Sequence, residues 1–165
     1  MRHLLTLEDL DRASLTHLLD RAERFRKQGA PRDLLVGRTV LTLFFEPSTR
    51  TRTSFELAAK RLSADTMSIA TSASSVVKGE SLHDTLANIE AMHSDIVVIR
   101  HAYAGAAQIL SERHPSHIIN AGDGRHAHPT QALLDAFTIR RHIRQLRQDD
   151  RAGLDGLRVA IIGDI

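Results

Sequence analysis

The chain has 165 residues, of which 42% are hydrophobic and 25% charged, and its 22 Lys and Arg nearly balance 20 Asp and Glu for a net charge of +2. That length suits one domain of ~100–200 residues, or one domain with a short piece of a second, and the composition excludes wholesale disorder. With no cysteine there is no disulfide framework, thiolate metal site, thiol nucleophile or iron–sulfur cluster. With no apolar run near the ~20 residues that span a bilayer, and no apolar leader at the N-terminus, the expectation is a cytoplasmic protein without a membrane partner. Aromatics are only 4%, with no Trp. The basic residues are scattered except for Arg140, Arg141, Arg144 and Arg147, which read as the solvated side of a helix. Nucleic-acid binding is therefore not expected.

In chain order, residues 11–27 carry Leu15, Leu18, Leu19, Ala22 and Phe25 at helical spacing, with Asp11 as N-cap. Gly29, Ala30 and Pro31 end that helix. Residues 38–45, RTVLTLFF, are apolar without alternation, as in a strand buried on both faces. A second helix is predicted over about 51–62 and a short strand over 65–70. A polar stretch at 71–80 leads to a helix at about 82–92, with Ser81 and Asp84 as a capping pair. A strand at 95–100, a helix at 104–113, a strand at 117–120, a loop at 121–129 and a helix at about 130–147 follow.

Strand and helix alternate throughout. The predicted class is α/β, a three-layer domain with a mainly parallel four-stranded sheet flanked by helices. Residues 1–147 form that domain and 148–157 read as a polar linker. The apolar 158–165 reads as the first strand of a second α/β domain not contained in the chain.

Ligands in such sheets sit at the carboxyl ends of the strands. The loops there begin near residues 46, 71, 100 and 121, and they hold the unusual chemistry. Glu46-Pro47-Ser48-Thr49-Arg50-Thr51-Arg52 joins a buried strand to a helix. A helix N-terminus offers free N–H groups, hydroxyls add donors, and Arg50 adds a guanidinium fork suited to phosphate oxygens. The glycines and Lys of a nucleotide P-loop are absent. The competing reading is simple capping by Ser48 or Thr49 with solvated arginines. Arg52 is expected to turn away and pair with protein carboxylates.

Arg100 ends a buried strand, where it either finds a partner or reaches solvent. His128-Pro129-Thr130-Gln131 opens a helix; His128 can donate to a carbonyl oxygen and Gln131 can read an amide, or the segment is only a proline-led helix start. His126-x-His128 lacks a third ligand, so no metal is expected. Ser74 and Lys78 lie in the polar 71–80 loop, where Lys78 taken alone reads as a solvated lysine. What accumulates is donors: Ser48, Thr49, Arg50, Thr51, Arg100, His128 and Gln131. Such a site suits group transfer from a substrate that already carries a good leaving group, by positioning and oxyanion stabilisation.

FFEPSTRTRTSFE at 44–56, VKGESLHDT at 77–85, VIRH at 98–101 and NAGDGRHAHPTQALLD at 120–135 together resemble the aspartate/ornithine carbamoyltransferase family. The Arg-His after the third strand and the Asn-Ala-Gly-Asp-Gly before His128 resemble its aspartate branch. The resemblance implies transfer of a carbamoyl group from carbamoyl phosphate to the amino group of L-aspartate, in pyrimidine biosynthesis, with no cofactor or metal. It implies that Ser48, Thr49, Arg50 and Thr51 hold the phosphate, and that Thr51 also reaches the carbonyl oxygen. Arg100 would bridge phosphate and carbonyl, His128 would donate to the carbonyl oxygen, and Gln131 would bind the carbamoyl NH₂. Ser74 and Lys78 would enter a neighbouring subunit's site in a homotrimer, with a regulatory chain or dihydroorotase-like protein as a possible further partner. The aspartate site would lie in the second domain, so the 165-residue chain alone is expected to be inactive. A carbamoyltransferase for ornithine and a non-catalytic phosphate-binding module are the alternative readings.

Overall fold

A computed structural model describes residues 2–70 and 93–162. Helix α1 spans Arg12–Gln28, and the Asp11 side chain caps it by accepting from the Ser14 backbone N–H at 2.7 Å. Strand β1 spans Thr39–Phe44, helix α2 Thr49–Arg61 and strand β2 Asp65–Ala70. Strand β3 spans Ile96–His101, helix α3 Ala106–Arg113, strand β4 His117–Asp123 and helix α4 Pro129–Arg147. The helix predicted at 82–92 lies outside the described residues, as do Ser74 and Lys78.

The four strands form one sheet in the order β2-β1-β3-β4, and every pairing is parallel. β1 and β3 are central, and Val40 through Phe44 are all buried, as the unalternating apolar run requires. Side chains alternate between the faces. Leu41, Leu43, Val97, Ile99 and Ile118 pack with Ala107 and Leu110 of α3 on one face. Val40, Phe44, Val98 and Ala121 pack with Ala59 of α2 on the other. These are the three layers expected.

The outer edge of β4 is extended at its start by Leu4, which bridges to Ile119 in parallel; the Leu4 N–H donates to the Ile118 carbonyl at 2.8 Å. β4 runs three residues further than the predicted 117–120. A register irregularity lets it do so: Ile99 pairs with Asn120, but His101 pairs with Asp123. Ala121 and Gly122 thus stand opposite the single residue Arg100. A bulge of this kind bends a strand and re-aims its side chains.

Residues 148–157 fold back: Ala152 is buried, its carbonyl accepts from Arg144 Nε at 2.9 Å, and Asp155 pairs with Arg12 at 2.6 Å. Residues 158–162 form no strand pairing, and Val159, Ile161 and Ile162 are exposed. The arginine row of α4 is not uniformly solvated either. Arg140 is 4% exposed and its Nη1 donates to Asp20 of α1 at 2.7 Å, which ties the two helices together.

Candidate anion and carbonyl site

The strand order reverses direction between β1 and β3, so the loops following these two strands open a crevice at the carboxyl edge of the sheet. The Phe45 backbone N–H donates to the Arg100 carbonyl at 2.9 Å, which holds the two strand ends side by side. Arg100 occupies the same strand face as Ile96 and Val98, the face covered by α2. Its Nε lies 3.4 Å from Glu46 Oε2 without making a hydrogen bond, and its Nη1 donates to the Ala121 carbonyl at 3.2 Å. The arginine has thus found protein partners, and the reading in which it simply reaches solvent is set aside.

Gly122 has φ +115, and its missing side chain makes room for what stands beside it. A Cβ there would lie 2.9 Å from Arg100 Nη1 and 3.4 Å from His128 Cδ2. The two residues singled out from loops 28 positions apart therefore meet over one glycine. His128 is the residue before α4 and makes no capping bond; its Nδ1 lies 3.3 Å from the Thr130 hydroxyl. Burial first, and then the charge of Arg100, hold its pKa below the ordinary 6.5, partly offset by Asp135. With Nδ1 as the acceptor of that contact, the proton of a neutral ring sits on Nε2, where it can be donated; the reverse tautomer would donate Nδ1–H to the hydroxyl. One turn on, Gln131 Nε2 donates to Asp135 at 3.0 Å, which leaves the Gln131 carbonyl oxygen as an acceptor.

At the start of α2, Ser48 is the N-cap residue but makes no side-chain capping bond. Simple capping by Ser48 is therefore not what this segment does. Ser48 and Thr49 line a hollow of about 190 Å³ with Phe44, Phe45, Glu46, Pro47 and Arg52. Arg52 also lies 3.7 Å from Glu56, the carboxylate pairing expected of it, while still bordering the hollow. Arg50 and Thr51 sit in the same first turn but outside that lining, with Arg50 exposed. The structure therefore joins Arg100 with His128 and Ser48 with Thr49.

Sequence reasoning missed Glu46, Asn120, Gly122 and Asp123. Glu46 stood inside the motif without a role, although a carboxylate beside an expected strand-end arginine was the signal. Asn120 is hidden at the end of the predicted 117–120 strand, and Asp123 in the predicted 121–129 loop, where polar residues are ordinary. Both are buried, at 1% and 2% exposure. His126 Nδ1 lies 2.9 Å from Asp123, and among the described residues no group of three or more His, Asp or Glu stands together as a metal site. A larger hollow of about 850 Å³ lies away from this edge, lined by Phe25, Arg26, Arg32, Lys60, Arg61 and neighbours. Of its cations, Arg26 falls in the last turn of α1 and Lys60 and Arg61 in that of α2, where they complement the helix dipoles.

A parallel sheet whose carboxyl edge gathers hydroxyls, a guanidinium and a histidine of lowered pKa is an α/β domain with a donor-rich crevice at its switch point. The family model for the carbamoyl-P binding domain of aspartate/ornithine carbamoyltransferase matches residues 2–141. The chain belongs to that family. It is 53% identical over 99% of its length to the aspartate carbamoyltransferase catalytic subunit of Gluconobacter oxydans, and 52% identical over 99% to that of Granulibacter bethesdensis. It spans about half the length of these curated relatives, 51% and 50%. Among solved structures it is similar to the catalytic subunit of M. Jannaschii aspartate transcarbamoylase. That match has a TM-score of 0.79 at 45% identity and covers 87% of this chain and 48% of the other. It also resembles aspartate transcarbamoylase from Trypanosoma cruzi in complex with carbamoyl phosphate and aspartate. There the TM-score is 0.74 at 38% identity, covering 85% and 47%. Among the described residues no helix is long and apolar enough to cross a membrane.

Proposed function

We propose that this chain is the carbamoyl phosphate-binding half of an aspartate carbamoyltransferase, in which the amino group of L-aspartate attacks carbamoyl phosphate to give N-carbamoyl-L-aspartate and phosphate. The observation that carries the reading is the meeting of Arg100 and neutral His128 over Gly122, beside the uncapped start of α2. Ser48, Thr49, Arg50 and Thr51 grip the phosphate through hydroxyls, the helix N-terminus and the guanidinium fork. For Arg50 this requires its exposed side chain to swing over the crevice.

As the new N–C bond forms, the carbonyl electrons move onto oxygen. Arg100, His128 Nε2–H and the Thr51 hydroxyl stabilise that oxyanion. The tetrahedral intermediate then collapses, the C–O bond to phosphate breaks, and the surplus proton of the amine leaves on the phosphate. Among the described residues the nearby carboxylates are already engaged, Glu46 beside Arg100 and Asp123 with the Gly105 and Ala127 backbone N–H groups. This favours the departing phosphate as the base. The Gln131 carbonyl oxygen accepts from the carbamoyl NH₂. Arg52 stays with Glu56.

Ser74 and Lys78 complete the site of a neighbouring protomer in a trimer that works in the cytoplasm. Aspartate is supplied from the other half of the full-length enzyme, so this chain alone binds carbamoyl phosphate without turning it over. Calorimetry of the chain with carbamoyl phosphate, with inorganic phosphate as reference, tests this. Tighter binding of carbamoyl phosphate is expected, and indifference to both ligands would overturn the reading.

A further inference from the structure

We propose that Asp123, together with Asn120, is a positioning residue that sets Arg100 against His128; the proposal deepens, and rests on, the function given above. Asp123 ends β4 and its carboxylate accepts four hydrogen bonds. Oδ1 takes Asn120 Nδ2 at 2.9 Å and the Ala127 backbone N–H at 3.0 Å. Oδ2 takes the Gly105 backbone N–H at 2.8 Å and His126 Nδ1 at 2.9 Å. Gly105 is the N-cap of α3 and belongs to the loop that follows Arg100. Ala127 immediately precedes His128. A single buried carboxylate therefore clamps the loop that follows Arg100 to the loop that leads into His128.

The backbone repeats the link. Asp123 N–H donates to the Ala127 carbonyl at 3.2 Å, and Gly124 N–H to the His101 carbonyl at 3.0 Å. Asn120 holds the floor of the same turn. Its Oδ1 accepts from the Gly122 N–H at 2.9 Å, and its Nδ2 also reaches the Leu5 carbonyl at 3.0 Å. Gly122, on which Arg100 and His128 converge, is thus pinned from below. Capping α3 would need only the Gly105 bond, and closing the 123–127 turn only the Ala127 bond. One carboxylate making both is what a device for holding two loops in register requires. Burial works against ionisation of Asp123, but the bonds from Asn120, Gly105, His126 and Ala127 together hold its pKa below the usual carboxylate value. An ionised acceptor gives these bonds extra strength. Oxyanion donors act only when held within ~0.5 Å of their working position, which is what such a clamp supplies.

Asp123→Asn keeps the shape but sets an NH₂ against backbone donors. Calorimetry on the chain with carbamoyl phosphate and with inorganic phosphate reads the effect. Most of the phosphate grip lies on α2, and Arg100 reaches both phosphate and carbonyl, so phosphate affinity should fall less than carbamoyl phosphate affinity. The preference for carbamoyl phosphate should fall roughly tenfold, as expected when a charge-assisted bond is broken. Equal loss of both ligands would mean a merely structural role and overturn the proposal, as would an unchanged preference. If Asp123→Asn does not fold, Asn120→Leu carries the same expectations. NMR titration of His128 gives a readout independent of ligand. His128 should move up toward 6.5 in the variant as it leaves Arg100, and an unmoved titration would overturn the proposal. Failure of the unaltered chain to bind carbamoyl phosphate would instead sink the functional reading and leave the NMR result to decide on Asp123.

Discussion

Arg100 and His128 come together across Gly122, and the space between them is the volume that any other residue at 122 would fill. The bulge in β4 puts Gly122 opposite Arg100, and the absence of a Cβ lets the guanidinium lie over the turn. Gly122→Ala should therefore act twice. The methyl would press to 2.9 Å on Arg100 Nη1, and φ +115 suits an L side chain poorly. A loss of roughly 1–3 kcal/mol in urea unfolding is expected from the strained backbone. Carbamoyl phosphate affinity should drop more than phosphate affinity.

Removing the donors should separate the two halves of the ligand. Arg50→Ala is expected to weaken carbamoyl phosphate and inorganic phosphate alike. His128→Ala should leave phosphate binding nearly intact and weaken carbamoyl phosphate alone. In the full-length enzyme each change should lower turnover by ~10²–10³. Steady-state kinetics with near-normal turnover in either variant would contradict the assignment.

Acid should destabilise the chain through its histidines. Burial is the leading cause that lowers the pKa of His128, His101 and His3 below 6.5 in the folded state. Between those lowered values and 6.5 the unfolded chain binds more protons, so stability falls as pH drops below 6.5. Above that pH these groups add no pH dependence. His128→Gln should flatten the slope of unfolding free energy against pH just below 6.5; an unaltered slope would remove His128 from the account.

The α1–α4 contact should be separable from the site. Asp20→Asn leaves the buried Arg140 guanidinium without its carboxylate, whose other face is half exposed. A loss of roughly 1–3 kcal/mol is expected in thermal or urea unfolding. Carbamoyl phosphate affinity should not change, because Arg140 lies two and more helical turns beyond Gln131 on α4.

Local pattern alone determined the α/β class, the seven of eight described elements placed within about two residues, and the donor-rich loops. This is so because apolar periodicity, caps and breakers act over a few residues, and a parallel sheet then obliges its loops to share one edge. Local pattern could not determine that β4 continues through Asp123, since that depends on a bulge against β3. It could not distinguish the buried Arg140 from the solvated arginines beside it, because its partner Asp20 is 120 residues away. Nor could it assign Asn120 and Asp123. A polar residue in a loop or at a strand end and one buried under a turn look the same in sequence, and only the packing of neighbouring strands removes the water that would otherwise satisfy them.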